Sequence, residues 1–130
     1  MRTFWAVAIG AALGGVARYY VSSAVQHCVG ATFPWGTLLI NVTGSLLLGF
    51  IVRYALATTV SAEIRLLLTT GFCGGYTTFS TYSFETVTLL EDGQYLRGGA
   101  YAVGSMVLAL AATTGGFFLA RQLIALQEKV

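Results

Sequence analysis

The sequence predicts an all-α membrane protein of four transmembrane helices, the third broken near its middle. Of the 130 residues, 56% are hydrophobic and only 9% charged, at a mean hydropathy of +0.76, whereas a soluble domain carries roughly 25% charged residues. Four apolar runs, about 4–25, 35–56, 64–90 and 98–123, each supply the roughly 20 residues that cross a ~30 Å hydrocarbon core at about 1.5 Å rise per residue. Inside the third run lies Gly71-Phe72-Cys73-Gly74-Gly75-Tyr76-Thr77, where three glycines in five residues precede a dense run of hydroxyls, poor material for a helix. The connections 26–34, 57–63 and 91–97 are too short for a soluble lobe, so residues 1–130 read as a single transmembrane domain.

In the first run, Arg2 followed by Phe4–Val16 has the outline of a signal peptide. The apolar character continues through Tyr19, Tyr20 and Val21, however, and cleavage would leave an odd bundle of three spans, so a retained span is expected. Gly10 and Gly14 form a small-xxx-small pair for close helix approach. Arg18 is read as lying in the last turn, either snorkelling to the interface or setting a positive potential at an aqueous vestibule.

The second run places Thr37, Asn41 and Ser45 four apart beside Gly44, a small polar face in an apolar helix. The Asn41 amide offers two N–H donors and a carbonyl, suited to interhelical hydrogen bonding or to lining a pathway. In the fourth run Tyr101 and Ser105 make a weaker hydroxyl patch, with Ser105 expected to bond its own i−4 carbonyl.

The third run carries most of the chemistry. A broken span in hydrocarbon must bury or line a cavity with its freed backbone groups, which points to an ion or substrate site. Helix is expected to resume near Thr77, putting Phe79, Tyr82 and Ser83 on one face. Glu85 is the one carboxylate well inside a span, with Thr78 and Thr81 placed to hold it. Aromatic ring edges carry positive potential, so ring edges, hydroxyls and an amide N–H together can coordinate a small anion without a full charge that would hold it too tightly for conduction. Carbonyls released around Gly74–Thr77 offer hard oxygens to an alkali cation.

The remaining residues exclude other classes. Cys28 and Cys73 fall in a loop and a span and predict neither a disulfide nor a metal site, and His27 has no acidic or histidine neighbour. No nucleophilic or acid–base constellation supports an enzyme, and no basic patch supports nucleic-acid binding. Arg2, Arg53, Arg65, Arg121 and Lys129 on one side, against Arg18 and Arg97 on the other, place the termini inside on a small charge bias. Four short helices are too few to enclose a wet pathway comfortably, so a homo-oligomer is expected.

The run Gly71–Glu85 resembles the signature of the Fluc (CrcB-type) fluoride ion channels. Gly36-Thr37-Leu38-Leu39-Ile40-Asn41 is similar to that family's second-span motif and Gly14-Gly15-Val16-Ala17-Arg18 to its first. The resemblance implies passive fluoride export across the bacterial inner (plasma) membrane, which relieves fluoride toxicity, by an antiparallel dual-topology homodimer with two pores. It further implies a structural sodium ion held at the dimer centre by backbone carbonyls of Gly74 and Thr77. Asn41, Phe79 and Tyr82 would line the fluoride route, supported by Thr78, Ser83, Tyr101 and Ser105, with Arg18 at the vestibule. Two departures stand out: Tyr82 occupies a position that is usually Phe, and Ala109 one where some members carry Ser. The alternative is a small dual-topology, proton-coupled drug exporter. Such proteins rely on a first-span carboxylate, which is missing here, so Glu85 would have to serve. A membrane adaptor would need neither the glycine-rich break nor an Asn at mid-depth.

Overall fold

The computed structural model describes residues 1–30 and 32–129, an all-helical chain with no strand among them. Helix α1 (Arg2–Val29) is followed by α2 (Trp35–Ala57). The third stretch is built in pieces: α3 (Ala62–Leu66), a π-helical segment (Leu67–Cys73), the single turn α4 (Gly74–Tyr76), and α5 (Phe79–Glu91). Helix α6 (Tyr95–Gln127) completes the chain. Among the described residues α1, α2 and α6 are long and apolar enough to cross a membrane. At 28 and 33 residues, α1 and α6 outrun the predicted runs; lengths of about 42 and 50 Å require tilt or projection beyond a ~30 Å core.

The glycines of the third stretch are helical, so in the stretch near 71–77 where a break is expected only Thr77 leaves helical geometry. Gly74 has φ −64° and ψ −36°, and its N–H reaches back to the Thr69 carbonyl, the wide i→i+5 turn of a π-helix. What these glycines provide is proximity. A Cβ at Gly71 would sit 2.9 Å from the Gly10 Cα, and one at Gly75 would sit 2.6 Å from the Ala11 carbonyl oxygen. On the facing side, Cβ atoms at Gly10 and Gly14 would run into the Leu67 and Phe72 carbonyls. The Gly10/Gly14 pair is therefore spent inside the chain, seating α1 backbone-to-backbone on the π segment. A second close pair joins α2 to α6, where Gly49 lies 2.5 Å, measured from its would-be Cβ, from the Thr113 carbonyl oxygen.

The chain leaves helical geometry at Thr77 (φ −82°, ψ 161°) and Thr78 (φ −152°, ψ 118°). Helix resumes at Phe79 rather than Thr77, because Thr78 acts as N-cap: its Oγ1 accepts the Thr81 N–H at 3.3 Å. Helix α2 forms the seat for this break. Gly44 leaves room for the Thr77 side chain, and the Thr43 hydroxyl lies 3.1 Å from the Tyr76 hydroxyl.

Candidate functional site

Asn41, in the second turn of α2, brackets the break. Its Oδ1 accepts the Thr78 N–H at 2.8 Å, and its Nδ2 donates to the Thr78 carbonyl at 3.1 Å. One amide N–H remains for another acceptor. Beside it lies a groove of about 340 Å³ lined by Asn41, Ser45, Thr78, Phe79, Tyr82 and Ser105. The groove opens outward at Phe79, Met106 and Leu110, all of them exposed.

Ser105 departs from its expected self-bonding. It is buried at 5% exposure, and its Oγ has no hydrogen-bond partner among the described residues. An unpaired buried hydroxyl costs about 1–3 kcal/mol, and this one belongs to a residue that borders the groove, although the oxygen itself is covered in the protomer. Ala109, one turn further on, contributes only its methyl group to the same wall. Ser83 does what Ser105 does not: its Oγ donates to the Phe79 carbonyl at 2.9 Å, which turns it away from the groove.

The aromatic residues continue the wall. Phe79 and Tyr82 are tilted by 40° with centroids 5.4 Å apart, and Tyr82 meets Tyr101 at the same spacing. From Tyr101 the contacts pass edge-on to Phe33 and then to Trp35. The Tyr82 hydroxyl donates to the Ala102 carbonyl at 2.9 Å, so the extra oxygen ties α5 to α6 and does not constrict the groove.

Glu85 stands between this groove and the end of the bundle. The Thr37 hydroxyl donates to its Oε1 at 2.8 Å, and the Tyr101 hydroxyl to its Oε2 at 2.7 Å. Both donors are nearly inaccessible, at 3% and 1%. Thr78 and Thr81, expected to hold this carboxylate, instead bond each other at the α5 cap, at 3.0 Å. Local hydroxyls on a helix find nearby backbone or each other first, which leaves Glu85 to partners on α2 and α6. On its far side Glu85 borders a second cavity of about 320 Å³, shared with Gln26, Phe33, Asp92 and Arg97 at the mouth formed by the α1–α2 and α5–α6 connections. Thr37 and Tyr101 lie one helical turn before Asn41 and Ser105, so the Glu85 cluster and the polar residues of the groove follow one another along α2 and α6. Sequence reasoning marked most of these residues but missed the Thr37–Glu85–Tyr101 cluster; the only signal for it was Thr37 one turn before Asn41.

Arg18 lies deeper than expected. Eleven residues of α1 follow it, and its Nη1 donates to the Thr77 carbonyl at 3.4 Å. It lines neither cavity, so the predicted last-turn position is corrected: α1 simply continues past it. The charge instead approaches the break. There Thr78 gives its N–H to Asn41, so the Gly74 carbonyl lacks the i+4 donor that a continuous helix would provide. Gly74 is exposed, with nothing closer to its would-be Cβ than the Thr69 carbonyl oxygen at 3.9 Å. The Thr77 carbonyl keeps one lone pair beyond the Arg18 bond. Neutral carbonyl oxygens of this kind suit an alkali cation; the Gly74 carbonyl fits that chemistry, while the Thr77 carbonyl would share its oxygen with the Arg18 guanidinium. No group of His, Cys, Asp or Glu that could hold a metal exists among the described residues, and Cys28 and Cys73 are both free.

A family profile described as CrcB-like protein, Camphor Resistance (CrcB), matches residues 5–117. A protein of Geobacter sulfurreducens named fluoride-specific ion channel FluC is 48% identical over 124 residues, covering 95% of this chain and all of that one. Proteins with the same name from Nitrobacter winogradskyi (48% over 117 residues, 89% of this chain and 93% of that one) and Geobacter metallireducens (45% over 124 residues, 95% and 100%) are similarly close. The match takes in α1, α2, the whole broken stretch and most of α6, so this chain belongs to the CrcB-like family, a family of membrane channels and not of enzymes.

Proposed function

We propose that this chain is a fluoride channel that lets the anion leave the cell down its electrochemical gradient. The observation that carries this function is near-full-length identity of 48% to a protein named for fluoride-specific conduction. The groove supports it chemically: an unpaired Ser105 hydroxyl, a spare Asn41 N–H and the rings of Phe79 and Tyr82 line one wall. These are donors and ring edges of the kind that bind a small anion weakly enough to release it. An inside-negative membrane potential contributes ~2.3 kcal/mol per charge per 100 mV to export, so no energy-coupling site is required.

The working unit is a four-span protomer, with α3 to α5 together forming the third span, paired as an antiparallel dual-topology homodimer in the bacterial inner membrane. The exposure of Phe79, Met106 and Leu110 around an open groove supports a second copy that closes it. A sodium ion held between copies by the Gly74 and Thr77 carbonyls would bind the two broken spans together.

Purified full-length protein in liposomes loaded with potassium fluoride tests this directly. Efflux is expected to start when valinomycin clamps a favourable potential, with no pH gradient. Efflux that requires a proton gradient and vanishes in Glu85→Gln would support proton-coupled export instead. In the same assay Tyr82→Phe keeps the ring and loses only the bond to Ala102. At least wild-type flux is expected, with a stability loss of about 1 kcal/mol in thermal unfolding.

A further inference from the structure

We infer that Asn41 is a positioning residue for the cation carbonyls, because it captures the Thr78 N–H that would otherwise return to the Gly74 carbonyl. In a continuous helix the N–H of residue 78 bonds the carbonyl of residue 74. Here that N–H is taken at 2.8 Å by Asn41 Oδ1. The Thr78 carbonyl is held at 3.1 Å by the same amide, so Thr78 stays extended, at φ −152° and ψ 118°. The preceding turn remains intact up to this point, since the Thr77 N–H still bonds the Cys73 carbonyl at 3.0 Å. The interruption therefore begins with the one donor that Asn41 removes. Three residues further along α2, Gly44 makes space for the Thr77 side chain, so a single helical face both withdraws the donor and accommodates the displaced residue.

This positioning role presupposes the cation site proposed above and separates two duties of Asn41. The Oδ1 sets the backbone, and Nδ2 keeps a second N–H for the groove that Asn41 lines. Asn41→Asp retains an acceptor for the Thr78 N–H but loses every donor. Asn41→Ala loses both and lets the Thr78 N–H return to Gly74. The measurement is the midpoint of a sodium chloride titration of the thermal unfolding temperature, for the purified full-length protein, with N-methyl-D-glucamine chloride keeping ionic strength constant. The wild-type unfolding temperature is expected to rise saturably with sodium. Asn41→Asp is expected to hold the midpoint within about threefold, or to tighten it, while fluoride flux falls at least tenfold. Asn41→Ala is expected to move the midpoint upward at least tenfold. If that variant does not fold, Asn41→Gln, whose amide is one methylene too long to bracket Thr78, carries the same expectation.

Thr43→Val controls for general weakening of the α2–α4 contact. It removes the approach to the Tyr76 hydroxyl and is expected to lower the unfolding temperature without moving the sodium midpoint. A wild-type midpoint in Asn41→Ala or Asn41→Gln overturns the positioning role and leaves the cation site standing. A wild-type protein indifferent to sodium overturns both.

Discussion

Gly14→Ala is expected to abolish folded protein, while Gly15→Ala, one residue along the same helix, is expected to leave the protomer folded. A Cβ at Gly14 would meet the Tyr76 nitrogen at 2.9 Å and the Phe72 carbonyl carbon at 3.0 Å, and would run into the Phe72 carbonyl oxygen. All three are backbone atoms, so no rotamer change relieves the contact, and α1 must move off the π segment. Ordinary overpacking of a core costs about 1–3 kcal/mol. Displacing a helix from a backbone-to-backbone contact that repeats at Gly10, Gly71 and Gly75 exceeds the top of that range, against total stabilities of only about 5–15 kcal/mol. At Gly15 a Cβ meets nothing within 4 Å, and exchanging a mid-helix Gly for Ala favours the helix by roughly 0.5–1 kcal/mol. Recovery of monodisperse protein in detergent and its unfolding temperature decide the matter. Equal losses at both positions would show that the tight face of α1 lies elsewhere.

That pair of glycines also illustrates what the sequence makes legible. Composition and run length are one-dimensional quantities, and they located the apolar stretches of α1, α2 and α6 to within a few residues at most of their ends. Low helix propensity marks the third stretch as unusual but assigns the irregularity to its glycines, which are helical. Glycine between two close backbones looks the same in a sequence as glycine in a broken helix. Propensity measures the isolated helix, whereas the contact with Gly10 and Gly14 sixty residues earlier is tertiary. The true break at Thr77 and Thr78 contains no glycine and depends on Asn41, 37 positions away. Side-chain partners were misread for a related reason. Helical spacing put Thr78 and Thr81 near Glu85, but spacing along one helix says nothing about the Thr37 and Tyr101 hydroxyls that arrive from two others. Polar residues in apolar runs were easy to find; their bonds were not.

The second large effect concerns the ring of Phe79. Phe79→Leu is expected to reduce fluoride flux at least tenfold while leaving the amount and thermal stability of folded protein nearly unchanged. Phe79 is 78% exposed on the protomer, and among the described residues its ring meets one aromatic neighbour, Tyr82, tilted at 5.4 Å. An aromatic pair of that kind contributes about 0.5–1.5 kcal/mol beyond area burial, so truncation to a residue of similar bulk costs the fold little. The change removes the ring quadrupole, whose positive edge is the feature that suits an anion, and leaves an apolar group that offers it nothing. Ser105 and the spare Asn41 N–H remain in the same groove, which is why the expected loss is large but finite. A packing role predicts the opposite division: Leu would lower stability or disrupt association, and flux per folded protein would hold. Liposome efflux normalised to folded protein, with the unfolding temperature measured in parallel, separates the two. Normalised flux within twofold of wild type would remove Phe79 from the anion path and make its exposed ring a contact for the second copy alone.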